Sequence, residues 1–189
     1  NMRNKILQMG GEFLYQSTVT NFLMHNQHIT GVEINHQQVI HCSILVLAIG
    51  HSARDTFSLL YEKGFSMKSK NFAVGIRMIH PQTMINENQY GKFASLLPPA
   101  SYKLTYQTKS GRGVYSFCMC PGGYVVNASS EEGRLAINGM SNNARDGKNA
   151  NSALIVTITP EDYGDNPLDG IEFQRTLEEK AYKLGNGLI

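Results

Sequence analysis

The chain has 189 residues, a length that suits one large domain or two small ones. Its 17 Lys and Arg residues against 15 Asp and Glu residues give a formal charge of +2, so the charge does not indicate a nucleic-acid partner. No apolar run reaches the ~18–20 residues of a membrane span, and the N-terminus lacks the pattern of a signal peptide. We therefore expect a cytoplasmic protein with no membrane partner.

The charged fraction of 17% lies below the usual quarter or so of a globular protein, which indicates extensive contact with another subunit or with further parts of a longer chain. Three cysteines do not make a disulfide framework. The chain opens with Asn1 before Met2 and ends just after a glycine-rich bend, so we expect an excised segment.

The first forty residues predict a helix end followed by a β-meander. Residues 1–8 resemble the last turns of a helix that closes at Gly10 and Gly11. Short apolar and β-branched runs follow, separated by polar turns, and such runs are typical of antiparallel strands. The predicted strands are residues 12–20, 22–25, 28–34 and 38–41.

The stretch from residue 42 to 57 predicts the geometry of a nucleotide site. Residues 43–49 form an apolar run bounded by Gly50, which is how a strand buried on both faces of a parallel sheet reads. Ser52 stands at a predicted N-cap with Asp55 three residues later, so a helix should begin there. An ordinary strand-to-helix connection is the alternative, because one glycine is weaker than a full phosphate-binding fingerprint.

The pattern changes between residues 66 and 71, where we place a domain boundary between residues 1–66 and 67–189. Beyond it, residues 72–80 predict a strand that stops at Pro81, and residues 81–90 a short helix. The remaining runs predict a mostly antiparallel sheet, a final helix over residues 170–184, and a long Asn- and Gly-rich loop, 141–151. The predicted strands of this sheet are 102–108, 114–120, 124–129, 135–140 and 153–159.

Cys118 and Cys120 are the sharpest chemical feature of the second part. Two residues apart in a strand, they should point to the same face, beside a turn where Gly122 and Gly123 let the backbone approach a ligand. The pair could exchange electrons with a cofactor, bind a soft metal, or pack in a core. A metal needs further ligands and no second cysteine pair exists, so we predict no metal site.

Arginines are the candidates for anion binding, because a guanidinium forks onto a carboxylate or phosphate. Arg77 and Arg145 fit this role, whereas Arg112 in its turn reads as surface charge. The chain contains no Walker loop, no HExxH, no serine nucleophile elbow and no G-x-G-x-x-G.

Several long motifs carry a resemblance that covers nearly the whole chain. The chain resembles the middle segment of the bacterial FAD-dependent dehydrogenase family, uncharacterised flavoproteins with a glutathione-reductase-like FAD domain. The motifs are LAIGHSARDTF at 47–57, FAVGIRMIHPQ at 72–82, YKLTYQ at 102–107, RGVYSFCMCPGGYVVNASSEEG at 112–133 and NGMSNNARDGKNANSALIV at 138–156.

The resemblance implies an α+β chain in which residues 1–66 are part of an FAD-binding α/β domain with a β-meander, and 67–189 an inserted, mostly antiparallel sheet domain that faces the substrate. It implies cofactor-binding roles at Ala48, Gly50, His51, Ser52 and Arg54. It places Cys118 and Cys120 as catalytic candidates. It places Gly122, Gly123, Asn142, Arg145 and Arg77 as substrate-binding candidates.

The family's two glycine-rich flavin motifs are absent here, so we expect this fragment alone to bind no FAD and to be inactive. When full length, the protein is expected to be a flavin-dependent oxidoreductase acting on a small molecule. The alternative is a non-catalytic flavin-fold module that recognises a macromolecular partner. The other expected contact is the remainder of its own chain, and apolar surface at residues 43–49 should let the fragment self-associate.

Overall fold

The computed structural model describes all residues, 1–189, and shows an α+β chain of antiparallel sheets with a few helices, which confirms the predicted class. The chain divides into two compact units, Asn1–Ser66 and Met67–Ile189. None of the helices has the length and hydropathy that a membrane crossing requires.

The first unit is a helix, a three-stranded meander and a second helix. Its strands pair antiparallel in the order β1-β2-β3, as predicted. Left-handed backbone at Asn26 and Gln27, and again at Asn35 and His36, forms the two hairpin turns, and this geometry matches the twist of the flanking strands. The elements are α1 Met2–Gln8, β1 Val19–His25, β2 His28–Ile34, β3 Gln38–His41 and α2 Arg54–Glu62.

A small apolar core holds the first unit together. Phe22, Val32 and Ile34 are buried on the meander, and Leu60 is buried on α2. The ring of Phe22 meets that of Phe65 edge-on at 5.9 Å between centroids, a favoured aromatic arrangement.

The predicted first strand, residues 12–20, is shorter in the structure. Residues 12–18 do not form a strand, because the pairing with β2 begins only at Val19.

The predicted buried strand at residues 43–49 is wrong for this chain. These residues pair with no strand, and Ile44 and Val46 are each 81% exposed. A parallel strand needs neighbours on both sides, and the only sheet of this unit ends at β3. The apolar run is therefore left without the sheet that its sequence predicts.

The predicted N-cap at Ser52 is also wrong. Helix α2 begins at Arg54 with Ala53 in the cap position, and no side chain bonds to its first turn from that position. The hydroxyl of Ser52 lies 3.3 Å from His51 Nε2 instead. The helix then ends near Gly64, whose φ of +77° suits the residue that follows a helix.

The second unit is built around one long central strand, β9. It pairs along its whole length with β4 and on its other side with β6, in the order β4-β9-β6-β5, while β7 and β8 form a separate two-stranded sheet. The elements are β4 Phe72–Pro81, α3 Gln82–Tyr90, β5 Thr105–Gln107, β6 Gly113–Cys120, β7 Gly123–Asn127, β8 Ile137–Ser141, β9 Asn149–Ile158, α4 Pro160–Tyr163 and α5 Asp169–Leu184.

Three aromatic rings join the helices to the start of the sheet. Phe72 on β4 lies 5.1 Å from the ring of Tyr163 and 6.1 Å from that of Phe173 on α5. The short helix α4 is not among the predicted elements, although Thr159 followed by a proline and two acidic residues is a helix-start signal.

Asp162 connects this short helix to the sheet. Its two carboxylate oxygens accept hydrogen bonds from the two Nη atoms of Arg112 at 2.7 and 2.8 Å, and one also accepts from the backbone N–H of Thr159. The Arg112 guanidinium first, and the Thr159 N–H second, lower the pKa of Asp162 from 3.8 to about 2. Arg112 is therefore half of a forked ion pair as well as a turn residue.

We predict that Asp162→Asn lowers the Tm of the chain at neutral pH and has little effect near pH 2. A carboxyl whose pKa is lowered by folding stabilises the folded state above its unfolded value, 3.8, and this contribution disappears as the pH falls through about 2. Thermal unfolding of both proteins across this range measures it. Glu161→Gln is the matched control, and an equal Tm difference at both ends of the range contradicts the prediction.

Candidate functional site

The predicted cofactor-binding residues of the first unit divide into an exposed group and a buried one. Ala48, Gly50, His51 and Ser52 are exposed, whereas Arg54 is only 4% exposed. Gly50 has a φ of +70°, a conformation that favours glycine. A Cβ at this position would meet open space, so no neighbouring atom of this unit requires glycine there.

The first unit offers an open surface and not an enclosure for a cofactor. Its cleft of about 280 Å³ lies beside the first turn of α2, is lined by Thr20, His36 and Asp55 among others, and contains none of the five predicted residues. The carboxylate of Asp55 in the first helical turn would repel a phosphate at that point. Residues 48–52 are therefore exposed and lie outside this cleft.

The second unit contains a polar cluster where its two sheets meet. Arg77 on β4 donates from Nη1 to the carbonyl of Cys118 at 3.1 Å and to Asn151 Oδ1 at 2.8 Å, while Nη2 lies 3.5 Å from Asn138 Oδ1. We call this cluster, with Cys120 and Gly139, the Arg77 junction. No carboxylate lies within ion-pair distance of Arg77, so its charge is matched only by amide dipoles.

Gly139 on β8 makes this convergence possible. A Cβ at this position would overlap Arg77 Nη1 and Asn151 Oδ1, and would lie 2.9 Å from the Sγ of Cys120. A glycine inside a strand often marks such a close approach. Residue 139 therefore lets the two-stranded sheet contact the guanidinium directly.

The two cysteines do not follow the alternation that the sequence predicts. The ladder between β6 and β9 shifts between Phe117 and Cys120, and Cys118 has a φ of +46°, so the strand is irregular where a regular one would align the two side chains. Cys118 is exposed, and the half-buried Cys120 donates its thiol to the Cys118 carbonyl at 3.3 Å. Both thiols are free.

The two glycines of the following turn approach protein backbone. Gly122 has a φ of +51°, and a Cβ there would overlap the carbonyl of Arg145, while a Cβ at Gly123 would clash with the carbonyl oxygen of Met140, 2.5 Å away. The N–H of Gly122 donates to the buried Gln82 Oε1 at 2.8 Å. The predicted backbone approach to a ligand is thus used for packing at these positions.

Asn142 and Arg145 lie together in an exposed turn. The N–H of Arg145 donates to the Asn142 carbonyl at 3.0 Å, and Arg145 has a φ of +53°. The loop is shorter than predicted because β9 begins at Asn149. Gly122 and Arg145 are brought into contact through their backbones, while the side chains of Asn142 and Arg145 remain in solvent.

Buried amide side chains that were not predicted support this site. Gln82 is 5% exposed and donates to Asn86 Oδ1 and to the Ala100 carbonyl, and Asn151 is 1% exposed. A signal was available at Asn151, because polar residues precede the apolar run ALIV within one strand. Burial of such a residue costs free energy unless it is hydrogen-bonded, and at Asn151 the Oδ1 accepts from Arg77 while the Nδ2 donates to no protein group.

Two cavities adjoin the long strand β4. One of about 410 Å³ is lined by Arg77, Gly123 and Tyr124 among others. The other, of about 460 Å³, is lined by His80 and Tyr102, whose rings are 5.5 Å apart, together with Met78 and Met84. No group of three or more His, Cys, Asp or Glu side chains is placed to hold a metal ion.

Comparison with known proteins gives the family. Residues 71–189 match the family described as FAD-dependent protein, C-terminal domain-like, and the chain belongs to this family. An uncharacterised protein of Clostridium beijerinckii is 52% identical over 191 residues, which cover 99% of this chain and 36% of that protein. The chain thus spans about a third of the length of this relative. The match confirms the prediction from the sequence motifs that the chain is related to FAD-dependent proteins.

We predict that Gly139→Ala destabilises the second unit by about 1–3 kcal/mol, the usual cost of forcing extra volume into a packed site. The added methyl would displace either the Arg77 guanidinium or the Asn151 amide. Chemical denaturation measures the change. Gly113→Ala is the control, since its Cβ would meet only Thr157 Oγ1, at 3.7 Å. Equal stabilities of the two variants would show that the junction is not tightly packed.

Proposed function

We propose that this chain is a segment of an FAD-dependent oxidoreductase, to which it contributes the edge of the FAD site and a domain that faces the substrate. The proposal rests on Arg77. Its guanidinium has no carboxylate partner and borders a cavity, in a domain that belongs to an FAD-dependent family. FAD, when bound, supplies electron-transfer chemistry. The residues of this chain bind and orient the molecule that reacts.

The first unit is proposed to contact the cofactor through residues 48–52. The support is their exposure, together with the left-handed turn at Gly50 immediately before α2. Arg54 is buried inside the unit, so in this proposal it supports α2 from within. The exposed apolar run at 43–49 is proposed to pack against the remainder of a longer protein, in keeping with a relative of which this chain covers 36%.

The second unit is proposed to hold the substrate beside the Arg77 junction. Arg77 supplies the positive charge and Gly123 lines the same cavity. The thiols of Cys118 and Cys120 lie on the irregular part of β6 at this junction, where they are candidates for a redox role. Gly122, Asn142 and Arg145 form the neighbouring turns.

We predict that a full-length protein containing this segment purifies with a yellow flavin absorption that bleaches on reduction, while the 189-residue chain alone is colourless. The reason is that residues 48–52 form an open edge and not an enclosed cofactor site. Visible absorption spectra before and after reduction measure both. A full-length protein that contains no flavin, and takes up none on incubation with FAD, contradicts the proposal.

A role for the thiols has its own test. We predict that replacing Cys118 and Cys120 with Ser in the full-length protein slows reoxidation of its reduced flavin, with flavin content unchanged. Cys42→Ser is the matched control, because Cys42 lies in the first unit and outside the junction. Stopped-flow absorption measures the rate, and an unchanged rate in the double variant removes the thiols from the chemistry.

A non-catalytic binding module is the second candidate, and one observation favours it. Apolar side chains on one face of the four-stranded sheet are open, with Ile76 65%, Leu104 61% and Tyr106 66% exposed. Exposed apolar patches often mark protein contacts. If the chain is a non-catalytic binding module, the thiol substitutions should leave the rate of flavin reoxidation unchanged.

A further inference from the structure

Arg77 is an arginine with unused hydrogen-bonding capacity. A guanidinium carries five N–H donors, and the two on Nη1 are taken by the Cys118 carbonyl and Asn151 Oδ1. Nη2 has only the 3.5 Å contact with Asn138 Oδ1, which is at the limit of a hydrogen bond, and Nε donates to no protein acceptor. Nε–H and one N–H of Nη2 therefore remain for a ligand.

The protein holds the guanidinium in place. Nη1 is fixed from β6 and β9, and the Asn151 side chain that accepts its bond is 1% exposed. An arginine held at one end loses little conformational entropy when its other end binds a ligand, so the site is preorganised. This arrangement differs from Arg112, whose two Nη atoms are already forked onto Asp162.

The cavity beside Arg77 has one charged side chain and mostly apolar walls. Its volume of about 410 Å³ falls within the range of small-molecule sites. Arg77 is the only cationic residue that lines it, and Asn149 is a polar neighbour. Its apolar lining residues are Ile79, Tyr124, Val125, Leu135, Ile137 and Ile189.

The apolar walls are not fully covered by the protein itself. Ile79 is 59% exposed, Tyr124 54% and Ile137 38%. A ligand with an apolar body would remove this surface from water, at roughly 25 cal/mol for each Å² buried. The cavity therefore combines one anion contact with an apolar contact surface.

We propose that the Arg77 cavity binds a carboxylate attached to an apolar body, and that such carboxylic acids are the substrate class of this protein. A planar carboxylate matches the Nε and Nη2 edge with two parallel hydrogen bonds. A phosphate dianion is disfavoured because a single cation faces the cavity. The claim that these acids are substrates rests on the proposed function. The claim that the cavity binds them rests on its geometry alone.

The test is a titration of the ¹⁵N-labelled 189-residue chain with phenylacetate, followed by the Arg77 Nε–H resonance. Phenylacetate is expected to shift this resonance saturably, while phenylacetamide, which lacks the charge, binds at least about tenfold more weakly. Inorganic phosphate is the competing probe. No saturable shift with phenylacetate, or an equal response to the amide or to phosphate, overturns the proposal.

Variants locate the site. Arg77→Lys keeps the charge but loses the fork, so phenylacetate should bind roughly three- to tenfold more weakly. Ile137→Trp fills the cavity while leaving the guanidinium in place, and should weaken binding by a similar factor. Arg112→Gln removes an arginine outside the cavity and should bind as the unaltered chain does. Binding that survives both cavity substitutions overturns the assignment of the site.

The titration contains no flavin, so it fails or succeeds independently of the flavin measurement. Saturable binding of phenylacetate together with a full-length protein that lacks flavin would keep the carboxylate site and remove the oxidoreductase. A flavin-containing full-length protein whose segment does not bind phenylacetate would keep the oxidoreductase and remove the carboxylate substrate class.

Discussion

The hydrogen bond from Arg77 Nη1 to Asn151 Oδ1 is the interaction on which the second unit depends. An asparagine that is 1% exposed on a central strand costs free energy unless its polar atoms are paired, and the guanidinium of the adjacent strand β4 pairs its Oδ1. The same guanidinium donates a hydrogen bond to the Cys118 carbonyl. One cation thus fixes β4, β9 and the irregular end of β6 relative to one another.

The other features of the junction follow from this constraint. The β6 strand must depart from regular pairing for the Cys118 carbonyl to reach Arg77, and the ladder shift between Phe117 and Cys120 is that departure. The β8 strand must carry glycine at residue 139, because any side chain there would meet the guanidinium. Since these neighbours are dipoles and not carboxylates, the charge of Arg77 remains available to an external anion.

The sequence predicts the elements better than it predicts their environments. The meander, β4, α3 and α5 follow from alternation, helical periodicity, and glycine or proline at their ends. The run at 43–49 fails because a buried parallel strand depends on neighbouring strands that no local pattern supplies. Arg77 could be named from its residue type, but its partners Asn138 and Asn151 could not, since they lie 61 and 74 residues away in sequence and meet only in the folded sheets.

A structure of the full-length protein with FAD bound tests the central claim most directly, namely that the Arg77 junction faces the chemistry of a flavoprotein. We predict that the flavin ring lies beside the cavity bordered by Arg77. A flavin that lies away from this cavity, with the cavity buried against another part of the protein, would contradict this claim.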